Sequence, residues 1–400
     1  MKWEKVKLKE IALAIQTGPF GSQLHQSDYS KNGIPVVMPK DLLNGKISEQ
    51  SIARVSKIHV NRLKRHIISN GDILYSRRGD VGRCAYATEY ETGWLCGTGC
   101  LRVTINTIKA NSKFIFYQLQ QPSIVGWVQN HAVGSTMLNL NTAILSEIPL
   151  LLPTLCIQTK IADILSAYDE LIENNQKQIK LLEEAAQRLY KEWFVDLRFP
   201  GYEKTTIIDG VPEGWKEGIL GDIAINVGKK VKKEDRNKYK QYLPIDCLPR
   251  KSLAYTESLN IKLAESSLVS FKPKDILFGA MRPYFHKVVI AYDKGLTRNT
   301  CFVINAKERK ILSYLTMLLF SDNTINYATT ISVGTTMPYV RLNDFLNMEI
   351  IIPAPHIVKE FEKLFKPISE DIVNFAKQIG VLSEARDRLL TKLMSGEIEV

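Results

Sequence analysis

Two stretches of the chain carry apolar residues in alternating steps of four and three. In the first, Ile161, Tyr168, Asn175, Leu182 and Leu189 fall seven apart, with Leu165, Ile172, Ile179, Ala186 and Trp193 at the offset positions. In the second, Phe361, Ile368, Phe375, Leu382 and Leu389 alternate with Phe365, Ile372, Ile379, Arg386 and Leu393. That spacing, held over five heptads in each copy, predicts two long helices that pack seam to seam as a coiled coil. Asn175 and Arg386 are the polar interruptions of the seam. Pro153 and Thr154 read as a stop-and-cap pair before the first helix, and Pro200-Gly201 as its end. Pro367 predicts a kink or a delayed start in the second helix. Gly380 weakens that helix by about 1 kcal/mol relative to Ala.

Every seam position of the second helix lies 200 residues after its counterpart, and the duplication extends beyond the helices. Trp3, Leu8, Glu10, Ile11 and Ala12 return as Trp215, Leu220, Asp222, Ile223 and Ala224. Gly71-Asp72-Ile73-Leu74-Tyr75 returns as Lys274-Asp275-Ile276-Leu277-Phe278, and Cys100-Leu101-Arg102-Val103 as Cys301-Phe302-Val303-Ile304. Val133-Gly134-Ser135-Thr136-Met137 matches Val333-Gly334-Thr335-Thr336-Met337. Two copies of this length are a duplicated domain pair, not a solenoid of short repeats. Within each copy, short apolar runs separated by glycine-rich turns read as strands. The expected fold is therefore α+β: two mixed α/β lobes in a tandem pseudo-twofold repeat, separated by two long helices packed as an antiparallel coiled coil. The segments are 1–153 for the first lobe, 154–199 for its helix, 200–353 for linker and second lobe, and 354–400 for the second helix.

The chain has 400 residues and a net charge of +11. Residues 1–153 hold 18 Lys and Arg against 10 Asp and Glu, and residues 210–353 hold 21 against 14. The two helical stretches are near neutral, so the positive charge sits in the lobes. Two phosphate-facing surfaces joined by a neutral spacer would show this distribution. About 38 helical residues span ~57 Å, against ~34–36 Å for a turn of B-DNA. The loop Ser76-Arg77-Arg78-Gly79-Asp80-Val81-Gly82-Arg83 places Arg77, Arg78 and Arg83 after a strand, where guanidinium groups can reach base edges or phosphates. The matching stretch of the second lobe offers Arg282 and Lys287, with Arg298 and Asn299 before a later strand; Lys40 completes the candidate set.

Enzymatic signatures are missing. No phosphate-binding Gly-x-x-x-x-Gly-Lys string occurs, and Gly97-Thr98-Gly99 continues to Arg102 and fails the dinucleotide pattern. Cys96-x3-Cys100 has no second pair at ligand spacing, so no metal is expected. The opening residues lack the apolar core of a signal peptide, no run of about 20 apolar residues exists, and cysteines are sparse. These features point to a cytoplasmic protein without membrane contact.

In order and spacing, several strings resemble the specificity subunit of type I restriction–modification systems over essentially the whole chain. They are Thr17-Gly18-Pro19-Phe20-Gly21-Ser22, Gly71-Asp72-Ile73-Leu74, and Pro153 through Gln158, Ile161, Ala162, Leu165, Asp169 and Ile172. Tyr190-Lys191-Glu192-Trp193-Phe194 with Phe199-Pro200-Gly201 and Pro212-Glu213-Gly214-Trp215 follow, then Arg388-Leu389-Leu390 with Ser395-Gly396-Glu397. The second helix departs at its start, with Val358 and Phe361 where the first has Gln158 and Ile161. The resemblance implies a non-catalytic subunit whose two target-recognition domains each read half of a bipartite duplex DNA target. It also implies partners: two modification subunits carrying S-adenosylmethionine, and restriction subunits adding ATP- and Mg-dependent translocation and cleavage. The competing readings are a coiled-coil adaptor whose basic lobes bind RNA or protein, and a standalone nuclease or methyltransferase.

Overall fold

The computed structural model describes residues 3–134, 138–264 and 267–400; of the repeated Val133–Met137 string, residues 135–137 lie outside the described residues. Two compact units make up the chain. One comprises Met1–Asp169 with Ala385–Val400, the other Glu170–Glu384. Each unit thus owns one lobe and a share of both long helices, because the seam residues bury into the lobe cores.

In the first unit, a four-stranded antiparallel sheet runs in the order Ala12–Thr17, Cys100–Ile105, Ile73–Ser76, Cys84–Tyr86. The helix Ser112–Leu119 packs on it through Phe114, Ile115 and Leu119, all fully buried. In the second unit the same order recurs: Ala224–Asn226, Cys301–Ala306, Ile276–Gly279, Val288–Ile290. Here Leu312–Leu319 is the covering helix. A two-stranded pair closes each lobe, Glu4–Lys7 with Pro149–Leu152 and Lys216–Ile219 with Glu349–Ile352.

The repeated Asp of the sheet motif has the same work in both copies. Buried Asp72 accepts from the Ser69 amide at 2.8 Å, and from Thr104 and Arg102 on the facing strand. Buried Asp275 accepts from the Lys272 amide at 2.9 Å and from Asn305 Nδ2 at 2.7 Å. Each carboxylate closes a turn and ties it to the neighbouring strand, which satisfies a buried charge that would otherwise be costly.

Each lobe has a second sheet, and there the two part. In the first unit the order is Leu95–Cys96, Ile34–Val37, Ala53–Val55, Tyr29–Ser30, with Leu95–Cys96 at the edge. In the second it is Lys229–Val231, Leu268–Phe271, Gly295–Arg298, Gln241–Tyr242, Leu259–Asn260, with Gly295–Arg298 at the centre.

The long helices run Leu155–Tyr190 and Pro355–Ser395. The first closes in a π-helical turn, Lys191–Val195, that carries Trp193 into the core and ends five residues ahead of Pro200. The second starts at Pro355 and continues through Pro367, so its start is not delayed to that position. Pro367 is exposed, so the carbonyl it leaves unbonded a turn earlier can be solvated.

In the first unit, Ile161 and Leu165 share a core with Leu389, Leu393 and Met394. In the second, Ile172, Ile179, Leu182 and Leu189 share one with Phe361, Phe365, Ile368, Ile372, Phe375, Ile379 and Leu382. Tyr168 is half-buried. Within the second unit, Asn175 Nδ2 donates to Gln378 Oε1 at 3.0 Å, while Trp193 lies 5.9 Å from Phe361. One strand of the pair rises in number as the other falls, so the packing is antiparallel. Both polar interruptions of the seam are satisfied: Asn175 by Gln378, and Arg386 by Asp169 at 2.8 Å within the first unit. Asp169 also accepts from Tyr117 of the covering helix at 2.6 Å.

Candidate nucleic-acid interface

In the first lobe the central strand Ile73–Ser76, buried throughout, ends where the arginine loop begins. Backbone bonds hold that loop: the Arg77 amide donates to Gly99 O at 2.8 Å, the Leu140 amide to Arg77 O at 2.8 Å, and the Gly79 amide to Leu138 O at 3.1 Å. Arg77 is half-buried with its guanidinium 5.9 Å from the Phe20 ring, a cation–π distance. Arg78 is exposed, with no ion pair among the described residues, and its backbone bridges Asn139. Arg83 forks onto Asp80 at 2.8 and 3.0 Å, so its charge is already answered locally. Lys40 is exposed on the turn Pro39–Asp41 and donates to Ser51 O at 3.0 Å.

The glycines of this region make room for crossing backbones. A Cβ on Gly18 would stand 1.9 Å from Gly97 O, and one on Gly97 would stand 2.6 Å from Val37 O. That close approach accounts for the Gly97-Thr98-Gly99 string without any nucleotide. The flanking thiols are inert: burial pushes Cys96 up to about 12 and raises Cys100 too. Among the described residues no group of three or more His, Cys, Asp or Glu is placed to hold a metal ion.

The second lobe repeats the ties and changes the side chains. Ala280 N donates to Thr300 O, Val340 N to Ala280 O, and Arg282 N to Pro338 O, at 2.8 to 2.9 Å. Met281 bridges Tyr339 as Arg78 bridges Asn139. Arg282 is half-buried in the left-handed region (φ 51°) and donates to Thr336 O at 3.2 Å. Lys287 is half-buried, bound to Ile245 O at 2.7 Å, and burial lowers its pKa. Arg298 and Asn299 are exposed at the end of the strand Gly295–Arg298, and Arg298 has no ion pair among the described residues.

The structure therefore brings Arg77, Arg78 and Arg83 onto one loop and Arg298 and Asn299 onto another. Lys40 stands on a separate turn, and Lys287 and Arg282 are largely committed to backbone carbonyls. Sequence reasoning missed Arg250, whose guanidinium stacks 3.8 Å over Phe285. It also passed over the basic run 229–240, although that run is visible as a local excess of Lys.

The comparisons with known proteins agree with this architecture. The family described as Type I restriction modification DNA specificity domain matches residues 1–184 and 212–379. The chain is 28% identical to the Type I restriction enzyme MjaIX specificity subunit of Methanocaldococcus jannaschii, over all of this chain and 94% of that one. It is 22% identical to the Type I restriction enzyme HindI specificity subunit of Haemophilus influenzae, over 90% of this chain and 93% of that one. Among solved structures, the S subunit of a type I restriction–modification system from M. genitalium superposes with a TM-score of 0.62 at 17% identity, covering 98% and 96% of the two chains, and so shares the fold. With the family matched twice, once in each repeat, the chain belongs to the type I restriction–modification DNA specificity family.

Proposed function

We propose that this chain is the sequence-reading subunit of a type I restriction–modification complex and performs no chemistry itself. Each lobe binds one half of a bipartite duplex target. The long helices set the number of base pairs between the halves and dock two modification subunits. S-adenosylmethionine, ATP and Mg belong to the partner subunits, and the complex works in the cytoplasm.

One observation carries the reading: the two lobes build one sheet in the same strand order and then diverge in their second sheet and loops. A shared frame with unlike loops suits two readers of unlike half-sites on one duplex. Exposed cations at strand ends, Arg78 and Arg298 among them, supply phosphate positioning and base-edge contact. Among the described residues no helix is long and apolar enough to cross a membrane.

The test is a footprint of the chain assembled with its modification subunit. Two protected blocks flanking an unprotected gap are expected. Adding one heptad to each long helix lengthens the pair by about 10 Å. The preferred gap should then widen by about 3 bp. A single continuous block, or a gap unmoved by the insertion, overturns the reading.

A further inference from the structure

Positive charge is unevenly placed within the equivalent parts of the two lobes. After its first sheet strand, the first lobe has no Lys or Arg between residues 11 and 30. The second lobe at the same point carries 229–240, where seven of twelve residues are Lys or Arg and two are acidic. Lys229, Lys230, Lys232, Lys233, Lys238 and Lys240 are all exposed. Lys238 pairs with Asp235 at 2.7 Å; the other five have no ion pair among the described residues.

The register places this run beside a reading loop. Val231 lies opposite Leu268, and Leu268 opposite Arg298. Two antiparallel steps make Lys229–Val231 run parallel to Gly295–Arg298, so both strands leave the sheet at the same end. With strands spaced ~4.8 Å apart, the exits are roughly 10 Å from each other. Lys232 and Lys233 therefore follow their strand at the end where Arg298 and Asn299 follow theirs. The turn beyond is held in place by Arg236, whose Nη1 donates to Ala264 O at 2.7 Å.

We propose that this lysine edge is a phosphate clamp peculiar to the second lobe. It grips the backbone of the duplex beside the bases approached from Arg298 and Asn299. The inference rests on the reading that the lobes bind duplex DNA, and it gives the second lobe a sequence-independent grip at a place where the first lobe has none. Lysines on an exposed edge strand also deter edge-to-edge aggregation. However, Lys232 and Lys233 lie beyond the strand, where no edge needs guarding.

The full chain with its modification subunit is titrated onto a duplex containing its target between 50 and 200 mM salt. Substituting Lys229, Lys230, Lys232 and Lys233 by Gln removes up to four phosphate contacts at about 0.9 of the log–log slope each. Loss of three contacts flattens the slope by about 2.7, so about fortyfold less affinity is lost across that fourfold salt range. The methylated sequence should not change, and Lys→Arg substitutions at the four positions should keep the slope. An unchanged slope in the Gln variant overturns the clamp, with or without new aggregation, as does an altered target sequence. A wild-type complex with no salt response or no duplex binding overturns the underlying DNA-binding reading instead.

Discussion

The first and second lobes share a frame and differ where the frame is free to vary. Strand order in the first sheet, the covering helix, the closing strand pair and the backbone ties of the loop after the central strand all recur. The side chains those ties present do not: Ala280 and Met281 of the second lobe stand at the positions equivalent to Arg77 and Arg78 of the first. The second sheet goes further, moving one strand from the edge of the sheet to its centre. Residues that hold the frame are buried and paired, as Asp72 and Asp275 are, and a change there is expected to destabilise the lobe. Residues that vary sit on loops the frame positions, and under the proposed function a change there is expected to alter what is read. Affinity and specificity can thus evolve in one lobe without disturbing the other.

The largest expected effect tests the frame. Phe361 and Ile161 are equivalent seam positions, both fully buried. Phe361 is the more entangled, stacking on Phe365 and meeting Trp193 and Phe194 at 4.9 to 5.9 Å. Phe361→Ala should cost about 3–5 kcal/mol, and Ile161→Ala about 2–5, with Phe361 the larger loss. Urea unfolding of each variant, followed by tryptophan fluorescence and circular dichroism, checks this. Equal losses would mean the two ends of the pair carry the same stability.

A middling effect tests the readers. Arg78→Ala and Arg298→Ala should each relax discrimination in a different half of the target, by about 1–3 kcal/mol. Methylation mapping on a randomised target library reads both halves at once. If both variants loosen the same half, the lobes do not divide the target.

The seam was legible because its period is long and repeated: one slip of register would have broken the match across five heptads. Its polar partners were not, since Gln378 and Asp169 lie on the flanks of the heptad and pair only once the helices are antiparallel. Gly71 announces its left-handed turn (φ 88°), but Lys274 adopts the same conformation (φ 75°) with no sign in its residue type. The second sheets were hidden for another reason. Their strands are short, and pairings such as Leu95 beside Val36 join residues far apart in sequence, beyond the reach of local periodicity. Candidate DNA contacts were visible as arginines on loops. Whether each was free or already answered, as Arg83 is by Asp80, depended on neighbours that only folding supplies.

The smallest effect concerns how each lobe is fastened to its helices. The first lobe uses a half-buried contact, with the hydroxyl of buried Tyr117 donating to Asp169. The second uses buried Glu183, whose Oε1 accepts from Ser252 Oγ and the Leu253 amide, each at 2.7 Å. Burial pushes the Glu183 carboxyl above its ordinary 4.5, with those two hydrogen bonds opposing the shift. The folded state therefore favours the protonated acid. Its stabilising contribution is complete below about pH 4.5, where the unfolded chain is also protonated, and is lost as pH rises through the raised folded value. Glu183→Gln keeps a carbonyl for both donors and removes the titration. The variant should match the wild type near pH 4 and exceed it in stability at pH 7. Denaturant unfolding of both chains at pH 4, 5.5 and 7 tests the sign. A Gln variant less stable at pH 7 would mean that the ionised carboxylate, gripped by Ser252 and Leu253, is what fastens the second lobe.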